Sequence, residues 1–231
     1  MDAVRFEVVS SATCPFAQRT RMALLEKDIA FSLTEISLDE KPDWFLAISP
    51  YSKVPLLRDG EAVIYESAVI SEYLEEVCPD PPLMPADPVT RAKMRIWVDF
   101  ANVRFIPHVY RLMMAQETLA QARQIDHLRT ALGRMEAHLA SDDAGRFWIG
   151  DALTFADLAF YPHLERFCAV EHHRGFAIPD DCPRLKDWLA MMSTRPSARE
   201  VARPPEILIR NWGKYAGGGG DGATARDMRD M

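Results

Sequence analysis

Apolar positions change their spacing along this chain in a way that divides it into two halves. Val4, Phe6 and Val8 recur at every second position, as in a strand with one buried face. A Ser-Ser-Ala-Thr turn then leads into a helical stretch from about Pro15 to Lys27. Residues 29–36 hold a second alternating set with Phe31 and Leu33. A polar stretch around Asp39 follows, and then a short helical piece through Trp44, Phe45 and Leu46. Val54-Pro-Leu-Leu and Ala62-Val-Ile-Tyr are two apolar runs around Arg-Asp-Gly-Glu, and Asp59-Gly60 supplies the turn chemistry of a β-hairpin. A helix from Glu66 to Val77 completes a β-α-β-α-β-β-α order, with a mixed sheet because the hairpin is antiparallel.

Residues 79–88 carry five prolines in ten positions, which excludes both a helix and a central strand. This stretch reads as a stiff linker between an α/β unit over residues 1–78 and an all-helical unit over 89–216. Ile125, Leu128, Leu132, Met135 and Leu139 form the clearest helical stripe in the second half. Thr154 and Asp157 stand three apart at a helix start, flanked by Leu153 and Leu158 where a hydrophobic staple would sit. The glycine-rich, charged tail over 217–231 has no apolar period and is expected to be disordered.

Composition narrows the function classes. The 231 residues are 48% apolar and 26% charged, in the range of folded soluble domains. A net charge of −7 with dispersed arginines argues against a general nucleic-acid binder. The chain has neither an apolar run long enough for a membrane helix nor the basic-then-apolar start of a signal peptide, so a cytoplasmic location without membrane partners is the expectation. The four cysteines, at 14, 78, 168 and 182, are too scattered for a disulfide framework or a paired zinc motif. His163, Cys168, His172 and His173 match no common zinc spacing, and no metal is expected.

Cys14 is the residue most suited to chemistry. It ends a turn and precedes Pro15, a residue favoured at the first helical position, which makes Cys14 the helix N-cap. Unpaired N–H groups and the helix dipole there stabilise a thiolate and lower its pKa. A small buried structural cysteine is the alternative that position alone leaves open.

SATCPFAQR, Lys53-Val54-Pro55, Glu66-Ser67 and the Thr154-to-Asp157 box occur in the order and at the spacing of the cytosolic glutathione S-transferase superfamily. The chain resembles that superfamily over roughly residues 4 to 205, and CPFAQR looks most like its cysteine-type classes: omega, lambda and the dehydroascorbate reductases, with tau close by. The resemblance implies a thioredoxin-like first domain, an all-α bundle, glutathione as co-substrate and a homodimer. It makes Cys14 the catalytic residue and implies that this cysteine forms a mixed disulfide with glutathione, so thiol transfer or reduction comes ahead of conjugation.

The implied glutathione ligands are Phe16, Lys53, Val54, Pro55, Glu66 and Ser67. Pro55 resembles the family's cis-proline, leaving the Val54 backbone to pair with the cysteinyl part. Glu66 and Ser67 hold the γ-glutamyl end, and Lys53 pairs with the glycyl carboxylate, with Lys41 a weaker candidate. Ala17 stands where a dithiol motif has its second cysteine, so release of the adduct falls to a second glutathione. Arg104, Phe105, His108, Tyr110 and Arg111 are acceptor-site candidates by region. Glutathione conjugation or isomerisation, and a non-catalytic binding module, remain as alternatives.

Overall fold

The computed structural model describes residues 4–142, 144–220 and 222–230. Its first half is β1 (Phe6–Ser10), α1 (Pro15–Glu26), β2 (Phe31–Glu35), α2 (Asp43–Ile48), β3 (Leu56–Asp59), β4 (Ala62–Tyr65) and α3 (Ser67–Val77). The strands form one sheet in the order β2-β1-β3-β4, with β1 parallel to β2 and the other pairs antiparallel. Gly60 takes a φ of +60° in the β3–β4 turn, a conformation open to glycine without steric cost. Val8, Leu57, Ile70 and Leu74 are buried together beneath the sheet. Two alternating positions read from the sequence differ: Val4 is exposed ahead of β1, and Leu33 is exposed because β2 is an edge strand.

The second half is helical. It comprises α4 (Pro88–Phe100), a π-helical segment (Ala101–Phe105), α5 (Ile106–Met114), α6 (Thr118–Leu139), α7 (Phe155–Leu164), α8 (Phe167–Arg174), α9 (Pro183–Ser193), α10 (Pro196–Val201), α11 (Pro205–Ala216) and α12 (Ala223–Asp230). The expected stripe on α6 is inward, with Leu128, Leu132, Met135 and Leu139 all buried. The Thr154–Asp157 capping box opens α7 as read from the sequence. Trp148 stacks on Phe160 at 4.1 Å and meets Trp188 edge-on, so the loop before α7 is packed into the core.

The two halves share that core. α1 packs on α7 and α10, and Arg195 grips Glu26 with two bonds of 2.7 and 2.6 Å while Ser197 donates to the same carboxylate. No helix among the described residues is long and apolar enough to cross a membrane. The expectation of a disordered tail is corrected: residues 223–230 form a helix with Ala223, Ala225 and Met228 buried. Three small or flexible apolar side chains, docked on an existing surface, replace the periodic apolar face that the sequence lacks.

Candidate active site

Cys14 takes an extended conformation (φ −78°, ψ 119°) as the N-cap of α1, with Pro15 in the first turn. Its N–H donates to Ser11 O at 3.1 Å, and its own carbonyl accepts from Gln18 N at 3.0 Å, so the backbone at this corner is bonded on both sides. The thiol donates to Val54 O at 3.8 Å, across from the Val54–Pro55 peptide, which is cis. The expected low thiol pKa is not what this arrangement produces. Burial pushes the Cys14 thiol up, and the N–H groups of Ala17 and Phe16, with the charges of Arg166 and Arg19, only oppose that rise.

Phe16, Lys53, Val54, Pro55, Glu66 and Ser67, the set implied by the resemblance, line a single cavity. Ser49 fixes the Lys53 backbone at both ends, accepting from Lys53 N and donating to Lys53 O, each at 3.1 Å. Glu66 caps α3 at a φ of +66°, an uncommon region for a residue with a side chain, and Ser67 begins the helix immediately behind it. That corner brings the free N–H groups of a helix start to the cavity wall, where a carboxylate is favoured.

Arg19 is a site residue that sequence reasoning did not single out, although it lies in the quoted SATCPFAQR run. Its buried guanidinium lines the same cavity and donates to Ser67 Oγ at 3.3 Å and to Asn102 Oδ1 and Ala159 O at 3.1 Å. Burial lowers it to about 10, against the opposing charges of Cys14 and Glu66, which leaves it cationic at neutral pH. Arg166 was missed too. Fully buried, it donates to Thr13 O at 3.1 Å and Gln18 Oε1 at 2.6 Å, clamping the residue before Cys14 to the first turn of α1. A buried arginine carries no signature in a single sequence until its acceptors are brought together by folding.

A family model described as "Glutathione S-transferase, N-terminal domain" matches residues 8–82, and one described as "Glutathione S-transferase, C-terminal domain" matches residues 116–190. The chain belongs to the glutathione S-transferase family. It is 31% identical over 202 residues to glutathione S-transferase omega-1 of Sus scrofa, across 87% of this chain and 82% of that protein. It is 30% identical over 201 residues to the probable glutathione S-transferase DHAR1, cytosolic, of Oryza sativa subsp. japonica, across 86% and 88%. Among solved structures, rice GST1 in complex with glutathione superimposes with a TM-score of 0.84 at 27% identity, over 92% of this chain and 96% of that one.

In this glutathione S-transferase a second space reaches Cys14 from the helical half, walled by Tyr110, Trp212 and Tyr215. Burial raises both phenols, Tyr215 to about 12, so each remains a hydrogen-bond donor at neutral pH. Tyr110 is thus the acceptor-site candidate that the fold brings to the thiol. Phe105 is corrected: it is fully buried and stacks on Phe167 at 6.1 Å, a core contact. His108 is half-buried, with its Nδ1 on Gln124 Oε1 at 2.8 Å and its ring stacked on His127 at 4.5 Å. Arg104 is exposed on the π segment, and Arg111 donates to Met228 O at 2.8 Å. Trp212 and Tyr215 carry no local signal in the sequence, because they lie on α11 and only folding brings them to Cys14.

Proposed function

We propose that the protein is a glutathione-dependent thiol transferase in which Cys14 exchanges disulfides through a mixed disulfide with glutathione. The observation that carries this reading is the placement of Cys14 at the N-cap of α1, opposite the Val54 carbonyl, between the Lys53–Glu66–Ser67 cavity and the Tyr110–Tyr215 space. Glutathione lies with its γ-glutamyl end at Glu66 and Ser67, its glycyl carboxylate at Lys53 and its cysteinyl part along Val54. The Cys14 thiolate attacks the glutathione sulfur of a mixed disulfide, and the partner thiolate leaves and takes a proton. A second glutathione thiolate then attacks the glutathione sulfur now bound to Cys14, releasing oxidised glutathione and restoring the Cys14 thiolate. Ala17 supplies no resolving thiol, so the second glutathione is obligatory.

Mass spectrometry after exposure to oxidised glutathione is expected to find one glutathione adduct, mapped to the Cys14 peptide and removed by reduced glutathione. An adduct confined to Cys78, Cys168 or Cys182 sinks the assignment.

The protein works as a homodimer in this reading. Val69 on α3, Ile96 on α4 and Val103 on the π segment are exposed apolar side chains, and α3 and α4 are tied by Arg95 to Glu72 with bonds of 2.9 and 2.7 Å. Light scattering is expected to give twice the chain mass, reduced toward a single chain in Ile96→Glu; a wild-type monomer at micromolar concentration refutes it.

A further inference from the structure

The C-terminal helix α12 lies within the active-site cleft. Asp227 and Met228 share one cavity wall with Phe16, Glu66 and Ser67. Thr224 lines that cavity, the space walled by Tyr110, Trp212 and Tyr215, and a third space in which Cys14 faces Asp39 and Lys53, so the helix start stands between the thiol and the Glu66–Ser67 corner. The Asp227 carboxylate is paired with Lys53 Nζ. Gly218, at a φ of +79°, helps return the chain from α11, and the Arg111 bond to Met228 O holds the far end of the helix against α5.

We propose that α12 is an internal ligand of the glutathione site, with the Asp227 carboxylate on the cation that takes the glycyl carboxylate of glutathione, so that the tripeptide binds by displacing the helix. This inference rests on the glutathione reading given above. A tripeptide held at Ser67 and presenting its sulfur to Cys14 crosses the position of Thr224, and its glycyl carboxylate and Asp227 need the same ammonium. The two occupancies exclude each other.

The hold is built to be reversible. An eight-residue helix is marginal on its own and depends on its docked face, here Ala223, Ala225 and Met228. Its ion pair is partly exposed on both sides and therefore weak and sensitive to salt. The helix lowers apparent glutathione affinity by the fraction of molecules in which it is docked. Ala223 and Thr224 at its start line the space that opens on Cys14.

The test compares the full-length protein with Asp227→Asn and with the double variant Asp227→Asn/Met228→Ser, using two readouts. One is the rate of iodoacetamide alkylation at Cys14, mapped by mass spectrometry without glutathione. The other is the dissociation constant for reduced glutathione by calorimetry. Loss of the ion pair alone is expected to speed alkylation and tighten glutathione by roughly two- to fivefold. The double variant is expected to exceed that on both readouts. Unchanged alkylation in both variants overturns the proposal, and does so with the glutathione reading intact if both still bind the tripeptide equally. Faster alkylation with no glutathione binding to any form upholds the displaced helix and overturns the glutathione reading instead.

Discussion

Cys14→Ser is expected to take exchange of a small glutathione mixed disulfide to the no-enzyme background, while glutathione still binds. The chemistry requires a sulfur at this position, because a serine hydroxyl forms no disulfide and its proton is held too tightly to leave near neutral pH. Binding survives because Lys53 is held by Ser49, Ser67 by Arg19, and Glu66 by its place at the start of α3, through hydrogen bonds and backbone that do not use the Cys14 sulfur.

The pH dependence follows from the burial of the thiol. Its pKa lies above the usual value, so the thiolate fraction and the wild-type rate climb through the neutral and alkaline range without reaching a plateau at neutral pH. Variants that release α12 shift this profile to lower pH, because less burial leaves the α1 N–H groups, Arg166 and Arg19 to act on the thiolate. Steady-state assays of wild type and Cys14→Ser across that range, beside calorimetry with reduced glutathione, check both points. Retained exchange in Cys14→Ser places the chemistry on another thiol. Conjugation to an aryl halide that rises in the serine variant would show the site can also activate glutathione's own sulfur.

The features legible in the sequence are those whose physics is local. Cys14 before Pro15 declares a helix start, Asp59-Gly60 a hairpin and Thr154 with Asp157 a capping box, and each of these elements stands where its own residues specify it. The grouping of Lys53, Pro55, Glu66 and Ser67 came from the resemblance, and one cavity wall carries them all. What the sequence hid is set by contacts between distant segments. Arg166 reaches Thr13 across 153 positions, and Asp227 reaches Lys53 across 174. The Cys14 pKa shows the limit most clearly: the helix start favours a thiolate, yet burial outweighs it, and the residues that wall the thiol come from distant segments, Val54, Tyr110 and Tyr215 with Ala223 and Thr224.

Asp157→Ala is expected to be the most destabilising single change among the residues discussed, by about 4 kcal/mol. The Asp157 carboxylate is fully buried and takes four bonds: Trp148 N and Trp188 Nε1 on Oδ1, both at 2.9 Å, and Thr154 N and Thr154 Oγ1 on Oδ2 at 2.9 and 3.1 Å. Alanine removes every acceptor at once and strands three N–H donors away from water, each at a cost of about 1–3 kcal/mol, summed with less than full additivity. Thr154→Ala removes only the reciprocal hydroxyl of the box and is expected to cost about 1 kcal/mol.

At this chain length 4 kcal/mol corresponds to a drop of roughly 10 °C in midpoint temperature, readable by thermal denaturation. The consequence reaches the active site through α7, whose first turn Asp157 caps and whose carbonyls at Ala159 and Pro162 accept from Arg19 and Arg166. Loosening that helix start is therefore expected to raise the alkylation rate of Cys14 at temperatures well below the midpoint. A loss under 1 kcal/mol in Asp157→Ala, or a Cys14 alkylation rate that changes only with global unfolding, would separate the capping box from the clamp on the catalytic corner.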